Sequence, residues 1–184
     1  MDHTRVPFVL LFLSVLISIM VNSKISAESA NTRCVLRQNK TCYQYSIARR
    51  RNLTCSVSGD KFRNCHQMGN AGAFNLTCSS PGECKQQCVA GYCQSLQCNA
   101  RKCNQYCIRG RCNMECNSEE CIQECDIGGC EMKCPSGVKR CIQKCGRGNC
   151  KMHCPAGVQY CKQSCDTGRC LMRSEERRVG KECR

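Results

Sequence analysis

Downstream of residue 83 the chain alternates apolar and polar positions in short runs, cut by glycine and by polar linkers. The runs align as CKQQCVAGYCQSLQC, CNQYCIRGRCNMEC, CIQECDIGGCEMKC, CIQKCGRGNCKMHC and CKQSCDTGRCLM. Their first cysteines are 19, 18, 20 and 20 residues apart, the mark of tandem structural repeats. In each unit cysteine, glutamine and cysteine fall at i, i+2 and i+4, which puts all three on one face of a strand. The glutamines are Gln86, Gln105, Gln123, Gln143 and Gln163. Glycine (Gly91, Gly110, Gly128, Gly148, Gly168) occupies the third of four places between the second and third cysteines. A left-handed residue there closes a hairpin. The expectation is a Cys-Gln-Cys strand facing a Cys-Met-Cys return strand, with the first cysteine paired to the fourth and the second to the third. Two alternatives stay open. Cysteines four apart also share a helical face, and a solenoid with pairing between neighbouring units is the other; four cysteines per unit allow three internal connectivities. The fold class expected is small and disulfide-rich: a linear array of short disulfide-stapled hairpin repeats after a separate disulfide-bonded N-terminal region.

The array covers residues 84–172 as five tandem repeats, the fifth stopping at Met172, two residues before its fourth cysteine is due. Residues 28–83 have a different texture, with widely spaced Cys34, Cys42, Cys55, Cys65 and Cys78. Three N-glycosylation sequons lie there, at Asn39 (NKTC), Asn52 and Asn75 (both NLTC), and none lies in the array. Residues 1–27 read as a secretory signal peptide: a short polar start, the apolar run Val6 to Val21, then a segment rich in small residues. A membrane span needs about 20 apolar residues, and this run is shorter and interrupted by Pro7, Ser14 and Ser18. No membrane span is expected in the mature chain. Residues 173–184, RSEERRVGKECR, leave the repeat pattern at once and closely resemble the in-frame translation of a sequencing-library adapter, so they are set aside as an artefactual tail.

The chain has 25 cysteines and no tryptophan, and only Phe62 and Phe74 remain as phenylalanines after the leader. Such a chain buries little apolar surface and depends on cross-links, each worth about 2–4 kcal/mol in favourable loops. The expected framework comprises the five N-terminal cysteines and nineteen in the array. The first unit contributes Cys84, Cys88, Cys93 and Cys98, and the second Cys103, Cys107, Cys112 and Cys116. Cys121, Cys125, Cys130 and Cys134 follow, then Cys141, Cys145, Cys150 and Cys154, and finally Cys161, Cys165 and Cys170. Because five is odd, one N-terminal cysteine must pair with the array, with another chain or with nothing. The two-residue cysteine spacing of zinc and thiol-redox motifs is absent, and His66 and His153 form no ligand cluster. No metal, cofactor or catalytic residue is nominated. Met114, Met132, Met152 and Met172 recur at one position and read as packing filler rather than a soft-metal row.

Formal charge is +14 over the whole chain, of which +2 falls in residues 173–184 and +1 in residues 1–27, leaving +11 on residues 28–172. A basic extracellular protein attracts polyanions: glycosaminoglycans, acidic matrix polymers or anionic membranes, with nucleic acid excluded by location. With no catalytic constellation, the expected function is a secreted, non-catalytic, disulfide-cross-linked structural glycoprotein of an extracellular or skeletal organic matrix. Its partners would be extracellular polyanions or matrix proteins, with intermolecular disulfides through an unpaired cysteine. The alternative is a cationic secreted toxin or antimicrobial-type effector. Residues 84–172 resemble the tandem cysteine-repeat matrix proteins secreted by marine invertebrates, including those occluded in coral skeletons; this resemblance implies a biomineral-matrix setting. The adjacent-cysteine motif of the galaxin group is absent.

Overall fold

The computed structural model describes residues 30–37, 40–47, 51–57, 63–174 and 181–183. The leader at residues 1–27 and the sequon residue Asn39 lie outside them. The strands are β1 (Ala30–Arg37), β2 (Thr41–Ser46), β3 (Arg51–Ser56), β4 (Asn64–Ser79), β5 (Glu83–Gly128), β6 (Glu131–Lys133), β7 (Arg140–Arg147), β8 (Lys151–Cys154), β9 (Tyr160–Thr167), β10 (Leu171–Ser174) and β11 (Lys181–Cys183). β5 is one extended ribbon that winds through more than two units.

Each unit is one level of a parallel β-solenoid. Cys65 pairs with Cys84, Cys121 with Cys141, and Cys141 with Cys161, all in parallel register. On the other face Met114 pairs with Met132, Met132 with Met152 and Met152 with Met172, again in parallel. The stapled linear array is thus present, with the solenoid arrangement: the two limbs of a unit pair with neighbouring units, not with each other. One sheet carries the inward Cys-Gln-Cys positions and the other the inward Cys-Leu-Cys or Cys-Met-Cys positions. Levels in a β-sheet repeat at about 4.8 Å.

The stack does not begin at Cys84. Cys42 pairs with Cys65 and Arg51 with Phe74 in the same parallel sense, so the expected boundary at residue 83 is no structural break and residues 41–79 form two further levels. Among the described residues seven levels follow from Gln44, Gln67, Gln86, Gln105, Gln123, Gln143 and Gln163, and β11 lies parallel on the last of them, with Lys181 in register with Gln163. β1 turns back antiparallel on β2, with Cys34 bonded to Cys42. It covers the open edge of the first level, which would otherwise present unpaired backbone groups.

All twelve disulfides join cysteines consecutive in sequence. Five close the glycine turn: Cys88–Cys93, Cys107–Cys112, Cys125–Cys130, Cys145–Cys150 and Cys165–Cys170, the expected second-to-third pairing. The expected first-to-fourth pairing is replaced. The fourth cysteine of one unit bonds the first of the next, in Cys98–Cys103, Cys116–Cys121, Cys134–Cys141 and Cys154–Cys161. The reason is geometric: the fourth cysteine ends one limb and the next unit's first cysteine opens the following limb, so the short linker turn brings the two together, with Cα atoms 6.0 Å apart for Cys98 and Cys103. Cys55–Cys65 and Cys78–Cys84 extend the pattern upstream. The odd N-terminal cysteine is therefore Cys78, and its partner is in the array. Each of the five array units keeps a five-residue separation at the glycine-turn staple, whereas the linker staple spans 5 to 7 residues within the array; unit length varies where PSGVKR and PAGVQY are inserted.

The interior is two sulfur-rich columns with a polar ladder between them. The linker-side column joins the cystines to Val57, Val138 and Val158. The glycine-side column joins them to Phe74 and to a stack of Leu53, Leu76, Leu96, Met114, Met132 and Met152. The methionines hold leucine positions, fully buried, as filler. Between the columns the glutamines are completely buried from Gln67 to Gln163.

Candidate interaction surfaces

The inward glutamines form a continuous hydrogen-bonded ladder. Each Nε2 donates to the Oε1 of the glutamine one level back: Gln67 to Gln44, Gln86 to Gln67, Gln105 to Gln86, Gln123 to Gln105, Gln143 to Gln123 and Gln163 to Gln143, at 2.9–3.0 Å. The same Nε2 reaches carbonyls of the opposite sheet. Gln86 donates to Leu76 and Gln97 at 2.8 Å, and Gln105 to Leu96 at 2.6 Å and Glu115 at 3.1 Å. A buried amide is tolerated only when so satisfied. The ladder ties the two sheets together at every level. Gln163 Oε1, at its far end, has no hydrogen-bond partner among the described residues.

The glycine turn is equally constrained. Gly91, Gly110, Gly128, Gly148 and Gly168 have φ from +116° to +143°, a region open to glycine alone. A Cβ on any of them would collide with the carbonyl of the glycine one level back. Upstream, Gly69 and Phe74 stand where Cys88 and Cys93 stand in the next level, and the Phe74 ring lies over Gly69 where a side chain would sit. A ring against a glycine thus substitutes for a cystine.

Sulfurs of neighbouring staples also come together: those of Cys107, Cys125 and Cys130 lie within 4.8 Å of one another. All are in disulfides, and a cystine sulfur lacks the thiolate charge that metal ligation needs.

With the interior closed, chemistry lies on the outer faces. Asn52 and Asn75 stand in register on the outside of the methionine sheet, and Asn75 Nδ2 donates to Asn52 Oδ1 at 3.0 Å. His66 sits outside the glutamine sheet, 5.0 Å from the Tyr43 ring. Burial holds its pKa below the ordinary value, and the Lys85 charge adds to this against the opposing pull of Glu83. Tyr106 has its pKa raised by burial and by Glu124 and Glu83. Beside it a groove of about 230 Å³ is lined by Tyr106, Glu124, Lys144 and Asp166 among others.

The outer charges fall in bands that only the register discloses. The level of Gln123 carries Glu119, Glu120, Glu124, Asp126 and Glu131 against a single Lys133, whereas the level of Gln143 carries Lys139, Arg140, Lys144, Arg147 and Lys151 and no acid. Acid meets base position by position. Glu119 binds Lys139 at 2.7 Å, Glu120 is opposite Arg140, Glu124 opposite Lys144, and Glu131 opposite Lys151. The Lys139 hydrogen bond and charge hold the Glu119 carboxyl below the usual carboxylate range. On the basic side the level of Gln105 adds Arg101, Lys102, Arg109 and Arg111.

These features define a class: a disulfide-stapled parallel β-solenoid with a glutamine-laddered interior and a charge-banded exterior. The chain matches no protein-family model, no curated protein and no solved structure at a significant level. Sequence reasoning missed the two upstream levels and the charge bands. The signal for the first was Cys-x-Gln followed by Asn-Leu-Thr-Cys in residues 42–55 and 65–78.

Proposed function

We propose that the protein is a secreted, non-catalytic structural component of an extracellular matrix, a stiff rod that presents repeated outer faces to acidic polymers and matrix proteins. One observation carries this reading: every level spends its inward residues on staples, ladder and filler, so repetition yields length and surface rather than an enclosed site. The abundant disulfides fit an oxidising extracellular setting. The local staples make the rod resistant to unfolding, which suits a load-bearing or protease-exposed place. The basic balance of residues 28–172 favours polyanionic neighbours. Coral-skeleton or other mineral association extends the reading by the resemblance of residues 84–172 noted above.

Sequential extraction of the producing tissue tests it. With antibody detection, the protein is expected in the matrix fraction, released by high salt or chaotrope and, because its staples are internal, without obligatory reduction. Recovery wholly in the freely soluble secreted fraction would overturn the structural role.

A further inference from the structure

The outer face of the glutamine sheet is self-complementary across the middle of the array. Along one column the levels present Asn104, Ile122, Ile142 and Lys162; along the next, Tyr106, Glu124, Lys144 and Ser164. Ile122 is in register with Ile142 and Glu124 with Lys144. The two isoleucines are half-buried and Lys144 is exposed. Elsewhere this first column is polar or aromatic, with Tyr43, His66, Lys85, Asn104 and Lys162.

We infer that this face binds a second copy of the chain, with the two rods antiparallel and a two-fold axis between the levels of Gln123 and Gln143. An axis in the interface, parallel to the strands, exchanges those two levels while keeping each column opposite itself. Ile122 then meets the partner copy's Ile142 position, and Glu124 meets the Lys144 position, twice over. This is the isologous arrangement that closed dimers use, and charge complementarity sets its register. The interface exploits an asymmetry of charge that a uniform repeat would lack: acid on one level, base on the next. The opposite orientation is disfavoured, because it sets Glu124 against Glu124 and Lys144 against Lys144. Asn52 and Asn75 occupy the other sheet, so glycans attached there would leave this face uncovered.

Four levels at about 4.8 Å and a five-residue strand give a patch of roughly 300 Å² per copy, below the ~1,200 Å² total of a stable complex. The association is therefore reversible and strongly salt-dependent, and becomes significant where the protein is concentrated.

The experiment is sedimentation equilibrium of the full secreted chain, at several concentrations and two ionic strengths. The wild-type chain is expected to dimerise at low salt, and Glu124→Lys or Lys144→Glu alone to weaken dimerisation by at least about tenfold. An equimolar mixture of the two variants restores it, as does the double charge swap, which also keeps opposite charges adjacent within the chain and so controls for folding. Monomeric behaviour of the wild-type chain at about 1 mM and low salt, or failure of the mixture to recover, overturns the proposal. The extraction test above reports on location alone, so the two can fail separately.

Discussion

Replacing Gln105 with leucine tests whether the glutamine ladder, rather than the sulfur columns alone, holds the two sheets together. Gln105 is fully buried; its Nε2 donates to Gln86 Oε1, Leu96 O and Glu115 O, and its Oε1 accepts from Gln123. Leucine of similar size strands Gln86 Oε1 in a dry interior, at about 2 kcal/mol, and removes a partner from two carbonyls at about 1 kcal/mol each. Gln123 Nε2 retains the Met114 and Lys133 carbonyls, so its loss is minor. Apolar burial of the leucine returns about 1.5 kcal/mol. The balance is a loss of about 2–3 kcal/mol, concentrated at the levels of Gln86, Gln105 and Gln123.

Hydrogen exchange read by mass spectrometry on the oxidised chain is the suitable assay, because a stapled repeat array need not unfold in one step. Amides of residues 84–125 should exchange roughly 30- to 150-fold faster, at a factor of ten per 1.4 kcal/mol. Gln163→Leu is the comparison: it too strands an oxygen, Gln143 Oε1, but it takes a donor from only one carbonyl, Arg173 O, and removes an Oε1 that is itself buried without a partner among the described residues, so the net change there should stay within about 1 kcal/mol. Equal effects at the two sites, or less than a threefold change for Gln105→Leu, would refute the ladder's role.

Gly110→Ala should be several times more destabilising than Gly137→Ala, which costs about 1–2 kcal/mol. Gly137 has nothing within reach of an added Cβ whereas Gly110 meets the Gly91 carbonyl; the yield of folded, oxidised protein and thermal melting compare the two. Replacing the Cys88–Cys93 staple by Cys88→Gly with Cys93→Phe, as Gly69 and Phe74 do one level back, should retain more of the about 2 kcal/mol that such a short loop contributes than the double serine variant does. Lowering pH below about 6.5 should loosen the levels around His66: its depressed folded pKa means the unfolded chain takes up the proton first, so the contribution is complete above the unfolded value and declines as pH falls through the folded one. Exchange protection near residues 64–70 that rises on acidification would contradict this. Asn52 and Asn75 share one hydrogen bond on adjacent levels, so glycopeptide analysis should find molecules glycosylated at both rarer than the product of the single occupancies.

Much of this design is visible in the residue pattern, and the part that is not has a physical cause. A period of two says which side chains point inward but not which strand lies alongside. Cys-Gln-Cys opposite Cys-Met-Cys serves a hairpin and a two-sheet solenoid equally. The decisive difference, Cys98 joined to Cys103 rather than to Cys84, depends on where the limbs go in space. The two upstream levels were hidden because Ser46 with Arg51, and Gly69 with Phe74, replace the glycine-turn cystine; the cysteine count falls while Gln44, Gln67, Leu53 and Leu76 keep the interior unchanged. The linkers read as tolerant of any charge, since NARK, NSEE and PSGVKR differ freely. Once Glu119 is placed beside Lys139, the differences become complementary.

That complementarity addresses a problem that the repeated interior creates. Each staple closes a short loop, with separations of 5 to 10 residues along the sequence, so the staples join one limb to the next along the chain without themselves fixing which level pairs with which in the sheets. The ladder is no more selective, because a glutamine stacks equally well on any other glutamine. A slip that set the level of Gln105 against that of Gln143 would leave cystines, glutamines and methionines matched. Outside, however, it would bring Arg101 and Lys102 against Lys139 and Arg140, and like charges directly opposite destabilise a pairing. The acidic level of Gln123 separates the two basic ones and makes the correct order the favourable one. Coil order within a chain and side-by-side matching between chains then draw on the same band of charge, which is why reversing Glu124 or Lys144 is expected to disturb association while the double swap preserves both.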